Sequence, residues 1–200
     1  EVVLRKACFA TKKWVDAGLF EGRIAVNLSA VQFTQPNLVA MIANALKESG
    51  LSAKYLELEI TEGTVMDSPQ KAIDTMLQIR AMGIHLSLDD FGTGYSSLAY
   101  LKKFPLNTLK IDKAFVDDIE TSEQGRNMVA TIVTIAHNLG MQVVAEGVET
   151  NQQLSFLSGL RCEQLQGYLY SKPLPENDFQ KYLLSFQITN RSTSFGKNSI

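Results

Sequence analysis

Six short apolar stretches recur along the chain, each followed by a segment of helical periodicity, and polar or charged residues fall on one parity of most of them. The stretches are 24–28 (IAVNL), 55–61 (YLELEIT), 84–90 (IHLSLDD), 107–112 (NTLKID), 141–146 (MQVVAE) and 163–169. A helix over 2–17, stopped at Gly18, precedes them. The spacing predicts further helices from Pro36 to Ser49, over 69–82, from Ser96 to Lys103, and over 123–139, 150–158 and 176–186, with Gly50, Gly83 and Gly140 as stops. Strands separated by helices require right-handed crossovers and a parallel sheet. Residues 1–186 are therefore expected to form one α/β domain, and the polar, aperiodic 187–200 a loose tail.

Parallel strands covered on both faces read as nearly continuous apolar runs. These do not. Leu56, Leu58 and Ile60 oppose Glu57, Glu59 and Thr61; Leu86 and Leu88 oppose Ser87 and Asp89; Leu109 and Ile111 oppose Lys110 and Asp112. Asn27 and Glu146 lie near the ends of their strands. An antiparallel sheet with one wet face would alternate in the same way, but the intervening helices argue against it. In a βα barrel the outer parity packs on helices and the inner parity points into the lumen. Unpaired carboxylates buried there are costly unless they reach an open mouth and bind something. The charged positions cluster toward the C-terminal strand ends, the catalytic face of such a barrel.

The mouth then gathers Glu59, Glu62, Asp89, Asp90, Asp112, Glu146 and Glu149, with Lys110 as the main cation. Crowded carboxylates raise one another's pKa, and divalent cations relieve the repulsion. Donors limited to carboxylate and amide oxygens favour Mg²⁺, Mn²⁺ or Ca²⁺ over Zn²⁺. The adjacent Asp89 and Asp90 suit a pair of ions, which at roughly 3.5–4 Å apart activate water and stabilise an in-line phosphoryl displacement. Gly92 and Gly94 suggest a sharp, mobile loop after the third strand; a tight βα turn with Ser96 as N-cap is the plainer reading. The loop lacks the third glycine of a dinucleotide fingerprint, and the Asp-Phe-Gly within it has neither the catalytic loop nor the strand lysine of a kinase. His85, His137 and Trp14 read as structural.

Composition narrows the remaining classes. With 19 Lys+Arg against 21 Asp+Glu, the net charge of −2 leaves no basic footprint for a nucleic-acid polymer. Two cysteines without a CxxC exclude a disulfide scaffold and a cysteine zinc site. No apolar run approaches the roughly 18–20 residues of a membrane span, and the first residues do not read as a signal peptide. Direct membrane insertion is not expected, and a cytoplasmic location is, whether free or as part of a membrane-anchored parent. The 200 residues fall short of the roughly 250 typical of a complete eight-unit barrel.

Six motifs in order, Val26-Asn-Leu-Ser29, Leu58-Glu-Ile-Thr-Glu62, Asp89-Asp-Phe-Gly-Thr-Gly-Tyr-Ser-Ser97, Lys110-Ile-Asp112, Ala145-Glu-Gly-Val-Glu-Thr150 and Gln166-Gly-Tyr168, resemble the EAL family of bacterial cyclic-di-GMP phosphodiesterases. The resemblance spans about 2–184. It implies a TIM-like (β/α) barrel, here with about six of eight strands. It further implies Mg²⁺ or Mn²⁺, two ions in the complete domain, and hydrolysis of cyclic-di-GMP to linear pGpG. By the same resemblance Asn27, Glu59 and Asp89 are metal ligands, and Asp90 and Glu146 complete a second position. Lys110 touches the attacking water or the phosphate, and Glu146 also stands where a general base is expected. Glu62 anchors the DDFGTG loop, and Asp112, Glu149 and Gln166 contact substrate. A homodimer is implied as well. The family's Glu-Ala-Leu tripeptide is absent from this sequence. Two strands are therefore expected to be missing and the chain by itself to be weakly active or inactive. A non-catalytic module that binds cyclic-di-GMP or a protein partner within a larger signalling protein is the alternative.

Overall fold

The computed structural model describes residues 1–66, 68–92 and 98–195, with side chains up to Ser185. The sheet has six strands: β1 (Ile24–Leu28), β2 (Leu56–Thr61), β3 (His85–Phe91), β4 (Thr108–Ile111), β5 (Gln142–Ala145) and β6 (Gln164–Leu165). They lie side by side in chain order, and every pair is parallel. Among the described residues β1 and β6 each have a neighbour on one side only, so the sheet is a half-barrel with two open edges.

The outer parity is the core. Leu56, Leu58, Ile60, Leu86, Leu88, Leu109 and Ile111 are fully buried. They share one cluster with Ile42 of α3 (Leu38–Ser49), Met76 and Ile79 of α5 (Pro69–Ala81), and Val129 and Ala136 of α8 (Glu123–Asn138). Each such leucine or isoleucine contributes about 1.5–3 kcal/mol relative to exposure. This burial fixes which strand face the helices cover, and thereby which face the polar parity must occupy. The leading helix α1 (Val2–Asp16) packs on α3 and β1 through Leu4 and Cys8, and Trp14 is buried as core. No described helix is long and apolar enough to cross a membrane.

Several boundaries differ from the periodicity, each for a local reason. The helix expected from Pro36 is two: α2 (Ala30–Phe33), started by a Ser29–Gln32 capping box, and α3. Helix α4 (Glu62–Met66) follows β2 without a linker. Helix α7 (Lys113–Thr121) occupies a stretch for which the periodicity predicts no element. Its N-cap is Asp112, which accepts the Ala114 amide at 2.8 Å, and its Val116 and Ile119 are buried. Ser122 then ends α7 and caps α8 by accepting the Gly125 amide at 2.9 Å. Helix α9 (Asn151–Gly159) lies where the spacing places it, opened by a Thr150–Gln153 capping box. The strand expected over 163–169 contracts to β6, because the chain turns at Gly167. A Cβ there would meet the Val148 carbonyl oxygen at 2.1 Å, a separation no side chain tolerates. The last helix, α10, runs from Glu176 to Phe195 rather than stopping at 186, since Gly196 is the first glycine or proline after Pro175. The expected loop and N-cap at 93–97 lie outside the described residues, and α6 covers Leu98–Leu101.

Short β6 is held by a side chain as well as by its own ladder. Glu163 accepts the Val143 amide at 2.8 Å and meets His137 Nε2 of α8 at 3.1 Å. Partial burial works against its charge, but the Val143 amide and His137 outweigh it and hold its pKa below the ordinary carboxylate value. A depressed carboxylate pKa stabilises the fold above the unfolded value and loses that contribution as pH falls. Glu163→Gln is therefore expected to lower Tm at pH 7. The gap to the unsubstituted chain should close as pH drops below about 4.5. Thermal melts of both forms across pH 3.5–7.5 check this.

Candidate active site

The inner parity of β2, β3 and β4 brings the polar residues together by register. Asn27 lies beside Glu59, Glu59 beside Ser87, Thr61 beside Asp89, and Ser87 beside Thr108. Lys110 Nζ stands among three carboxylates, 2.6 Å from Glu59, 2.7 Å from Glu146 and 3.1 Å from Asp89. The lysine side chain is only 3% exposed, and Glu59 and Asp89 are buried with it.

One ammonium cannot neutralise three carboxylates. Burial raises the pKa of Glu59 and Glu146, opposed by Lys110 and reinforced by their acidic neighbours. Burial would lower Lys110, but its hydrogen bonds to Glu146 and Glu59 outweigh that and push its pKa up, so it stays charged. Asp90 is pushed up by burial first, then by Asp89 and Asp112. The site thus holds more negative charge than its lysine can balance.

A local irregularity lets Asp89 and Asp90 act at the same mouth. In a regular strand consecutive residues face opposite sides. Here the β3–β4 register shifts between Leu88 and Phe91, and Asp90 takes a left-handed φ of 56°. Such a conformation costs a non-glycine residue of order 1–3 kcal/mol, and it is characteristic of functional sites. The Asp90 amide donates to Asp89 Oδ1 at 3.1 Å. Two residues on, Gly92 has φ 94°, and its amide donates to Glu62 Oε2 at 3.1 Å. Glu62 is 3% exposed, so the first residue of α4 ties this turn to the end of β2.

The remaining expected residues sit further out. Asn27 is exposed on the edge strand β1. Asp112 is committed to the α7 cap. Glu149 accepts a hydrogen bond from Lys113 Nζ at 2.8 Å, and Lys113 also reaches Asp117. Gln166 is exposed just past β6, its amide donating to the Ala145 carbonyl at 2.8 Å, one strand from Glu146. Deeper in the lumen lies a layer that the motifs do not include. Glu57 pairs with Arg23 at 3.0 Å, and His85 Nε2 lies 2.9 Å from Thr108 Oγ1. Burial lowers the His85 pKa, keeping the ring neutral near pH 7. Glu57 shares the parity of Glu59, which is the available signal. His85 is structural, as its place at the start of a strand suggests, but its ring faces the lumen.

The donors at the mouth are oxygens without cysteine or histidine, the set preferred by hard divalent cations. Among the described residues no group of three or more Asp, Glu, His or Cys side chains is arranged to hold a metal ion. The three carboxylates that converge do so on the Lys110 ammonium, a positive charge at the point where they demand one.

A parallel βα half-barrel with a buried carboxylate–lysine cluster at its C-terminal mouth defines the class. The EAL domain family model matches residues 1–173, and the chain belongs to that family. It is 43% identical over 185 residues to the cyclic di-GMP phosphodiesterase NbdA of Pseudomonas aeruginosa, covering 92% of this chain and 24% of that protein. The chain thus spans about a quarter of the curated relatives it matches. Among solved structures, the PaMucR phosphodiesterase in complex with c-di-GMP superposes with a TM-score of 0.86 at 42% identity, over 88% of this chain and 72% of that one. The manganese and cyclic-di-GMP complex of Klebsiella pneumoniae BlrP1 gives 0.76 at 30% identity, over 86% and 44%.

Two substitutions separate charge from packing in the cluster. Lys110→Met strands three buried or half-buried carboxylates and is expected to destabilise the fold by about 3–5 kcal/mol. Ser87→Ala removes a fully buried hydroxyl with no partner among the described residues, and stability should hold or rise slightly. Urea denaturation of both variants checks the contrast.

Proposed function

We propose that this chain forms most of the catalytic domain of a metal-dependent phosphodiesterase that opens one phosphodiester of cyclic-di-GMP to give linear pGpG, acting in the cytoplasm. The observation that carries the reading is the Lys110 ammonium surrounded by Glu59, Asp89 and Glu146 at the strand ends. A buried site with surplus negative charge suits an anionic phosphodiester only when cations accompany it. Asn27, Glu59 and Asp89 would hold one Mg²⁺ or Mn²⁺, and Asp90 and Glu146 would complete a second position. Bound there, the ions would supply Lewis-acid activation of water and stabilise charge on the phosphate oxygens.

The protein's own groups divide the remaining work. Lys110 uses its ammonium on three carboxylates, so it can reach a phosphate oxygen only by releasing at least one of them. Once their charge is balanced by cations, that release costs little, and the lysine becomes free to orient the phosphate or the water. Glu146, the most accessible of the three with a side chain 19% exposed and a raised pKa, would take a proton from that water. Glu62 anchors the Asp89–Gly92 turn through the Gly92 amide, keeping both aspartates at the mouth. Asp112, Glu149 and Gln166 form the outer rim, where contact with substrate would require Glu149 to give up Lys113.

The open edge beside β1 leaves Asn27 exposed, so one flank of the site lacks a wall. Low turnover is expected from this chain alone, and robust turnover from a form carrying additional residues before Glu1. The test is formation of pGpG from cyclic-di-GMP with Mn²⁺ by both forms. In the extended form Glu59→Gln and Asp89→Asn should lower the rate by more than the roughly 10–100-fold lost when a group that only supports a ligand is removed. Tight binding without product by the extended form would instead make the domain a binding module.

A further inference from the structure

We propose that the cavity between α3 and α5 binds a small aliphatic carboxylate, and that its occupancy stiffens the turn that carries Asp89 and Asp90. The binding is independent of the reaction proposed above. The cavity, of about 330 Å³, is lined by Phe33, Leu38, Thr64, Lys71, Ala72 and Thr75 among others. Its walls come from two stretches that meet in space, 33–39 leading into α3 and 64–78 of α4 and α5. Lys71, Ala72, Thr75 and Gln78 recur at the spacing of one helix face. Ala72 is the buried member of that face, 3% exposed, and its short side chain leaves the space open.

The lining suits a flexible carbon chain with one anionic end. Its single ring, Phe33, is 6% exposed and offers no open face for stacking, whereas Leu38 and Ala72 add an aliphatic floor. Most polar groups around it are already engaged. Thr34 Oγ1 donates to the Ala30 carbonyl at 3.1 Å, Thr75 Oγ1 to the Lys71 carbonyl at 3.0 Å and Gln78 Nε2 to the Asp74 carbonyl at 3.3 Å. Lys71 is the one charged residue in the lining, and Ser68, three residues before it, makes no side-chain cap to α5. Ammonium and hydroxyl together form a corner that can donate to a carboxylate. The cavity reaches the charged mouth through α4. Thr64 Oγ1 lies 2.9 Å from Thr61 Oγ1, and Thr61 is the β2 residue beside Asp89. Two residues before Thr64, Glu62 holds the Gly92 amide at 3.1 Å. A ligand packed on Thr64 buttresses α4, which restrains Glu62 and, through it, the turn.

The test is calorimetric binding of octanoate, hexanoate and octylamine to the 200-residue chain, below their micelle concentrations. Octanoate should bind about tenfold more tightly than hexanoate, since each methylene taken out of water adds about fourfold. It should also bind more tightly than octylamine, whose ammonium meets Lys71. Lys71→Met, at an exposed position, should weaken octanoate by about fivefold and erase its advantage over octylamine. Ala72→Leu and Val39→Phe fill the cavity from its floor and its rim, and each should abolish octanoate binding. Circular dichroism verifies folding, and should one of these two fail to fold, the other reads the same outcome. Octanoate should also slow hydrogen exchange of the Gly92 amide by about threefold in the unsubstituted chain and not in the filled variants. Absence of octanoate binding, or unchanged binding by a folded cavity-filled variant, overturns the site. Equal binding of octanoate and octylamine to the unsubstituted chain overturns the carboxylate assignment. Binding that leaves Gly92 exchange unchanged overturns the stiffening. None of these outcomes alters the phosphodiesterase reading, which stands or falls on pGpG formation.

Discussion

One ammonium among three carboxylates organises the mouth of this half-barrel. Lys110 is as buried as a core leucine, and its charge survives only because Glu59, Asp89 and Glu146 surround it. Their geometry follows from the sheet. Parallel register sets Glu59 and Asp89 on neighbouring strands with Lys110 on the next, and the fully buried outer parity prevents any strand from slipping by one residue. A one-residue slip would send the charged set into the apolar core and the leucines into the mouth. The hydrophobic core and the charged cluster therefore specify one another.

The alternation of leucines with acids makes the barrel face legible in the sequence, because a period of two determines which side chains share a side. Parity fails where strands end. Asp112 has the parity of Lys110, yet it lies one residue past β4 and caps α7. Asp90 has the wrong parity for the mouth, and only the register shift with its left-handed backbone brings it into the field of Asp89 and Lys110. The Asp-Asp pair is visible in the sequence; the distortion that makes both useful is not. Glu149 illustrates another limit. Its partner Lys113 is 36 residues away, and no local pattern announces a pairing between a βα loop and the first residue of a helix on the neighbouring strand's connection. Helix α7 escapes the periodicity because Ser122 cuts what would otherwise be one long helix into two shorter ones with different faces.

Burial across the mouth is uneven, and the unevenness follows the sheet. Glu59, Asp89 and Lys110 come from three of the four interior strands and are flanked on both sides. Asn27 and Gln166, from the two edges, are exposed. The interior charges are thus held in a low-dielectric setting where their surplus negative charge is expensive, while the edge residues are wet and cost nothing to leave unengaged. The edges are the open flanks of the sheet, whereas the electrostatic demand for positive charge arises in the middle.

That demand explains why backbone strain at Asp90 is tolerated. Moving a further carboxylate toward an already overcharged cluster would be unfavourable on its own, through both the φ of 56° and the repulsion that raises its pKa. On the proposed reading, positive charge beyond Lys110 would offset that cost. The strained Asp90, the raised carboxylate pKa values and the fully occupied lysine are three expressions of one imbalance. The Glu62–Gly92 hydrogen bond keeps the imbalance in place by preventing the turn from relaxing outward. On the proposed reading, cations would offset this surplus and an anionic ligand would follow them, because without cations the mouth repels an anion.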